Sequence, residues 1–152
     1  MKKLQGKGKV IDLIMRRNQI EKMDLILAIH NLKTSYSEIE RRIDANVQEY
    51  QGLMQLAANA MGNNQVLDPL LWHERMQYAQ ELQDIKMGLV DRANLLVAEI
   101  KVLERKVEIL TAKEKSLDQK MLSVKKEIVM ERIKVEEIIL SDLYATHPAR
   151  SS

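Results

Sequence analysis

From Leu25 onward the apolar positions of this chain recur at alternating steps of four and three: Leu25, Ile29, Leu32, Tyr36, Ile39, Ile43, Asn46, Tyr50, Leu53, Ala57 and Ala60. Ten of these eleven positions carry an apolar or aromatic side chain. On a helix, that spacing gathers them into one narrow stripe, the seam of a coiled coil. The same spacing returns at Leu89, Ala93, Leu96, Ile100, Leu103, Val107, Leu110, Glu114, Leu117, Met121, Val124 and Ile128, where only Glu114 departs. Tyr78, Leu82 and Ile85 lead into it. Upstream, Leu13, Ile20 and Leu27 are seven apart but fall on a shifted stripe, so the seam is expected to drift there through a stutter.

The stretch NAMGNNQVLDPLLW, residues 59–72, separates the two arms. Gly62 is suited to the left-handed conformation that commonly closes a helix, and Asn63 and Asn64 tolerate similar backbone angles. Asp68 can accept hydrogen bonds from the unpaired amides of the next helix, and Pro69 fits its first position. A second stop is written at His147-Pro148. The expected fold is therefore all-α, one domain over 1–152: two long helices in an antiparallel coiled-coil hairpin, the first about 10–61, a turn at 62–68, and a longer second helix about 69–145. A short connection places neighbouring helices antiparallel.

With the bend near residue 65, Arg17 is expected beside Glu114, neutralising the one charge in the second stripe. That register leaves the second helix without a partner after about residue 121, facing at most the segment KKLQGKGK. Gly6 and Gly8 each disfavour helix there by roughly 1 kcal/mol. Yet the overhang carries Val124, Ile128, Ile133, Ile138 and Leu143 among other apolar residues. At roughly 1.5–3 kcal/mol for each large side chain buried, such a surface calls for a covering partner.

Composition sharpens this picture. There is no Phe, one Trp and two Pro, while 30% of residues are charged. Aromatic side chains usually supply much of a compact core; their scarcity beside abundant Leu, Ile, Glu and Lys points to long helices with a thin seam. The formal net charge of +2 argues against a general polyanion binder. Locally, Lys2, Lys3, Lys7 and Lys9 precede any acid; they form either a solvated terminus or an arm for phosphates or an acidic partner. No Cys is present, which fits a reducing compartment. VIDLIMRRNQI lacks the uninterrupted apolar core of a signal peptide, and LILAI is far shorter than a membrane span of roughly 20 residues. A cytoplasmic chain without membrane insertion is expected.

Candidate chemistry is sparse. His30, His73 and His147 stand three or four residues from no other His or Cys, so no zinc pattern exists. GKGK at 6–9 lacks the spacing of a phosphate loop. No nucleophilic triad can be built from spacing, and no enzyme activity or cofactor is expected. Near the bend, Tyr50, Tyr78, Leu82, Ile85 and Leu89 either complete the seam or form a docking patch. Leu67, Leu70, Leu71, Trp72, Met76 and Ala79 offer an alternative packing face.

The size, the helical hairpin, the basic start and the longer second helix, together with IDANVQEYQGLM before the bend and LLWHERMQYAQELQDIKMGLVDR after it, resemble the FliJ/YscO family. These are the small stalk proteins of bacterial type III export systems, flagellar and injectisome. The spacing of Trp72 and Tyr78 is the most telling local feature. The resemblance implies a stalk whose termini-bearing end enters a hexameric export ATPase, at the base of a membrane-embedded secretion apparatus. The basic arm Lys2, Lys3, Lys7 and Lys9 and the overhang residues Ile128, Ile133, Ile138 and Leu143 are the matching surface here. It also implies contacts near the bend with the cytosolic part of an export-gate membrane protein and with export chaperones. Those contacts carry over to Ile39, Ile43, Asn46 and Tyr50 on the first helix and to Tyr78, Leu82, Ile85 and Leu89 on the second. Three positions depart from the family pattern: Asn46 replaces an aromatic, Ile39 a polar group, and Leu89 a histidine. Such a stalk is expected to be monomeric alone and to bind no nucleic acid. The alternative from another class is a self-associating structural coiled coil or adaptor.

Overall fold

The computed structural model describes residues 2–62 and 68–146. Among these the chain is all-helical, with α1 spanning Lys2–Gly62 and α2 spanning Pro69–Thr146. The two helices pack against each other as in a helical hairpin. The expected turn residues 63–67, with Asn63, Asn64 and Leu67, and the stop at His147-Pro148 lie outside the described residues.

The start of α2 follows its sequence chemistry. Asp68 Oδ1 accepts the Leu70 amide at 3.1 Å, which satisfies one of the orphan donors of the first turn. Asp68 O accepts the Trp72 amide at 3.0 Å as the first full helical bond. Pro69 occupies the first helical position, where no amide is needed. Trp72, half-buried, sits one turn in. Gly62 departs from expectation: it is the last residue of α1, and its φ lies outside the left-handed range.

The helices contribute to two compact units, Leu25–Arg105 and the pair Met1–Asp24 with Lys106–Ser152. In the Leu25–Arg105 unit all eleven stripe positions from Leu25 to Ala60 are buried or half-buried, as are Leu89, Ala93, Leu96, Ile100 and Leu103. Asn46, the one polar residue in the first stripe, is buried and donates from Nδ2 to Leu82 O at 3.0 Å. At the start of α2 the alternative packing face holds in part: Trp72, Met76 and Ala79 are covered, Leu70 and Leu71 are exposed, and Leu67 lies outside the described residues. Trp72, Met76, Ala79, Leu82 and Leu89 turn toward α1, whereas Tyr78 and Ile85 stay exposed. Ala79 is 4% exposed, so a small side chain holds the covered position beside exposed Tyr78.

The unit of Met1–Asp24 with Lys106–Ser152 corrects three expectations. First, α1 begins at Lys2, well before residue 10. Burying Ile11 and half-burying Leu4 against α2 offsets the helix penalty of Gly6 and Gly8, because packing decides helix stability more than propensity does. A Cβ on Gly8 would sit 3.7 Å from Val124 Cγ1 and 3.9 Å from Met121 Sδ, which places Gly8 against these two side chains of α2.

Second, no stutter occurs here. Apart from half-buried Asp12, the covered positions of α1 run Leu4, Gly8, Ile11, Met15, Asn18 and Lys22, in unbroken steps of four and three, while Leu13 and Ile20 are exposed. Leu27, the third member of the shifted stripe, is exposed in its own unit.

Third, Glu114 pairs with Lys22 rather than Arg17. Lys22 Nζ lies 3.3 Å from Glu114 Oε2, and Arg17 is exposed. Lys22 occupies a stripe position and Arg17 does not, so the unbroken spacing itself selects the partner.

Candidate docking surfaces

Two surfaces matter, one in each unit. In the Leu25–Arg105 unit, the eight residues expected to contact an export gate or chaperone separate by burial. Ile39, Asn46 and Leu82 lie between the helices, where an incoming partner meets them only if the helices part. Ile43, Tyr50 and Leu89 are half-buried at the flank. Tyr78 and Ile85 are 41% and 55% exposed, so they form the accessible part of the patch.

Tyr78 is oriented by its neighbours. Its hydroxyl donates a hydrogen bond to Glu49 Oε1 on α1. That bond, aided by desolvation and by the negative charges of Glu49 and Glu81, holds the phenol above the ordinary tyrosine value of 10.0. Tyr78 and Ile85, seven residues apart, fall on one side of α2. Tyr36 is raised in the same way by its hydrogen bond to Glu40 and that carboxylate's charge.

A second apolar feature in this unit was not apparent from sequence. Leu95, Ala98 and Val102 line a shallow groove with Leu32 and Leu103. Leu95 and Val102 are seven residues apart and exposed; that spacing is legible in the sequence, but it lies away from the dominant stripe.

The other surface is the termini-bearing unit. Lys2, Lys3, Lys7 and Lys9 are exposed along a helix instead of on an unstructured arm. Val124 is only 3% exposed and Ile128 is half-buried, so the uncovered part of α2 starts later than residue 121. Every residue from Arg132 to Thr146 is exposed, including Ile133, Ile138 and Leu143. Lys3 and Leu4 share one surface depression with Lys126, Met130 and Lys134, and Glu127 and Glu131 also line it, so lysines of both helices alternate there with carboxylates. Sequence reasoning missed the lysines of α2, because their grouping with Lys2–Lys9 exists only once α1 extends to its first residues.

Among the described residues no group of three or more His, Cys, Asp and Glu could hold a metal ion. No helix among them is long and apolar enough to cross a membrane. No known protein family, no individually curated protein and no solved structure matches the chain.

Proposed function

We propose that this chain is the central stalk of a bacterial type III export apparatus, of the FliJ/YscO type, acting in the cytoplasm at the base of the membrane-embedded machine. Its body is an antiparallel coiled-coil hairpin. In support, the residue number on one helix falls as that on the other rises: Gly8 beside Val124 and Lys22 beside Glu114 in one unit, Lys33 beside Glu104 and Glu49 beside Tyr78 in the other. Covered positions in steps of three and four support the coiled-coil geometry.

The observation that carries the proposal is the helical end of α2 from Arg132 to Thr146, exposed throughout and rich in Ile, Val and Leu. A single helix of about 22 Å, by the rise of 1.5 Å per residue, is slim enough to enter a narrow protein channel. Its apolar side chains gain free energy only when another protein covers them. Inserted into a hexameric export ATPase, the end binds some ring conformations more strongly than others and so biases assembly and turnover. The stalk hydrolyses nothing and takes no cofactor. Tyr78 and Ile85, flanked by Ile43, Tyr50 and Leu89, serve the export gate and substrate chaperones.

The test is to add the chain to the export ATPase encoded in the same genome and to measure hydrolysis and ring formation. Both are expected to rise. Ile133→Asp with Ile138→Asp is expected to abolish the rise while circular dichroism stays unchanged, since both side chains are exposed. Equal stimulation by that variant rules out insertion through the α2 end.

A further inference from the structure

We infer that the outer face of α1 from Lys2 to Ile20 docks on a membrane surface rich in anionic phospholipid. Residues seven apart on such a helix fall in rows along its axis. One side of α1 is taken by the covered positions, from Leu4 and Gly8 to Asn18 and Lys22. Three rows run along the opposite side. Leu13 and Ile20 form the middle one and are 65% and 63% exposed. Lys2, Lys9 and Arg16 form the row on one side of it; Lys3, Val10 and Arg17 form the row on the other. All of these flanking residues are exposed.

The charge on this stretch is one-sided. Over residues 2–20 six cations, Lys2, Lys3, Lys7, Lys9, Arg16 and Arg17, stand against the single acid Asp12. Asp12 is paired with Arg16 at 3.1 Å, and Glu21 and Asp24 come only after Ile20. Lys3 also borders the depression that Glu127 and Glu131 line, so its charge is partly offset.

Two rows of cations with an aliphatic row between them match a lipid surface on both counts. Aliphatic side chains sink to the boundary between headgroups and acyl chains, and the long stems of Lys and Arg carry their charges back up to the phosphates. About four to eight basic side chains on an amphipathic helix suffice to recognise anionic lipid. At 1.5 Å per residue the face lies along about 28 Å of membrane. A nucleic acid fits less well: it engages the cations and leaves Val10, Leu13 and Ile20 in water. The surface is separate from the α2 end, residues 132–146, and independent of the stalk assignment. A chain that ignores lipid yet stimulates an export ATPase ends this inference and leaves the stalk standing.

The full chain is sedimented with vesicles of phosphatidylcholine alone and of phosphatidylcholine with phosphatidylglycerol, at about 0.05 M and about 0.5 M salt, conditions between which the screening length shrinks severalfold. Binding is expected to the anionic vesicles only, and it should weaken roughly tenfold at high salt. Lys9→Glu with Arg17→Glu, and separately Leu13→Gln with Ile20→Gln, are each expected to weaken binding by roughly tenfold or more. Circular dichroism should stay unchanged in both variants, since all four side chains are exposed. A parent chain that stays in solution with both vesicle types overturns the inference. So does vesicle binding indifferent to either pair of substitutions. If only the Leu13 and Ile20 pair is silent and duplex DNA competes with the vesicles, the face binds polyanions instead of lipid.

Discussion

Lys22 Nζ lies 3.3 Å from Glu114 Oε2 between the two helices, while Glu114 Oε1 has no hydrogen-bond partner. Both side chains are three-quarters or more covered, so the pair gives up hydration that one contact of this length does not fully restore. Replacing both residues together, Lys22→Leu with Glu114→Leu, is expected to stabilise the chain by roughly 1–2 kcal/mol. Lys22→Leu alone should destabilise it, because Glu114 is left part-buried and unpaired. Urea unfolding of the three proteins checks the sign of each change.

The glycines at the start of α1 offer a second stabilising change. Nothing lies within 4 Å of a Cβ built on Gly6, and one on Gly8 meets only ordinary van der Waals contacts. Gly6→Ala and Gly8→Ala should each add roughly 0.5–1 kcal/mol, by helix propensity and by restricting the unfolded chain. Hydrogen exchange of the amides over residues 2–15 should slow in step.

Leu82 and Ile85 occupy one heptad-like sequence pattern, yet one is buried and the other exposed. Leu82→Ala is expected to cost about 2–3 kcal/mol, toward the low end for a core truncation because a two-helix interface is thin. Ile85→Ala should change stability by less than about 0.5 kcal/mol. Equal losses at the two sites would mean that both side chains face α1.

The Tyr78–Glu49 hydrogen bond sets a pH dependence. The phenol's value is raised in the folded chain, so the bond's contribution is complete while Tyr78 is protonated. It fades as pH climbs through the raised folded value, above the ordinary 10.0. Ultraviolet difference titration against Tyr78→Phe should isolate this group, and Glu49→Gln should bring it back toward the ordinary value.

Much of the fold was legible because large apolar residues occupy most covered positions between Leu25 and Ala60 and between Leu89 and Ile128. The rest hid behind polar or small side chains. Gly8, Asn18 and Lys22 hold covered positions in α1, whereas Leu13 and Ile20, the more obvious apolar residues, face outward. At the start of α2, Ala79 carries too little hydrophobic signal to outvote Tyr78 and Ile85. Hydropathy ranks side chains by size and polarity, yet small ones hold covered positions here. The terminal surface that joins lysines of both helices stayed hidden for a related reason. It requires α1 to be helical from Lys2, and only packing against α2 makes it so.

Trp72, the chain's sole tryptophan, stands one turn into α2, and Tyr36, Tyr50 and Tyr78 belong to the same unit, leaving Tyr144 as the lone aromatic of the other. Intrinsic fluorescence is thus a one-sided witness. It reports Leu25–Arg105 and is nearly blind to loosening around Lys22 and Glu114, whereas circular dichroism weighs every helical residue. If the two units melt at different temperatures, the two optical curves will part, and the gap between them measures the unit that carries the exposed end.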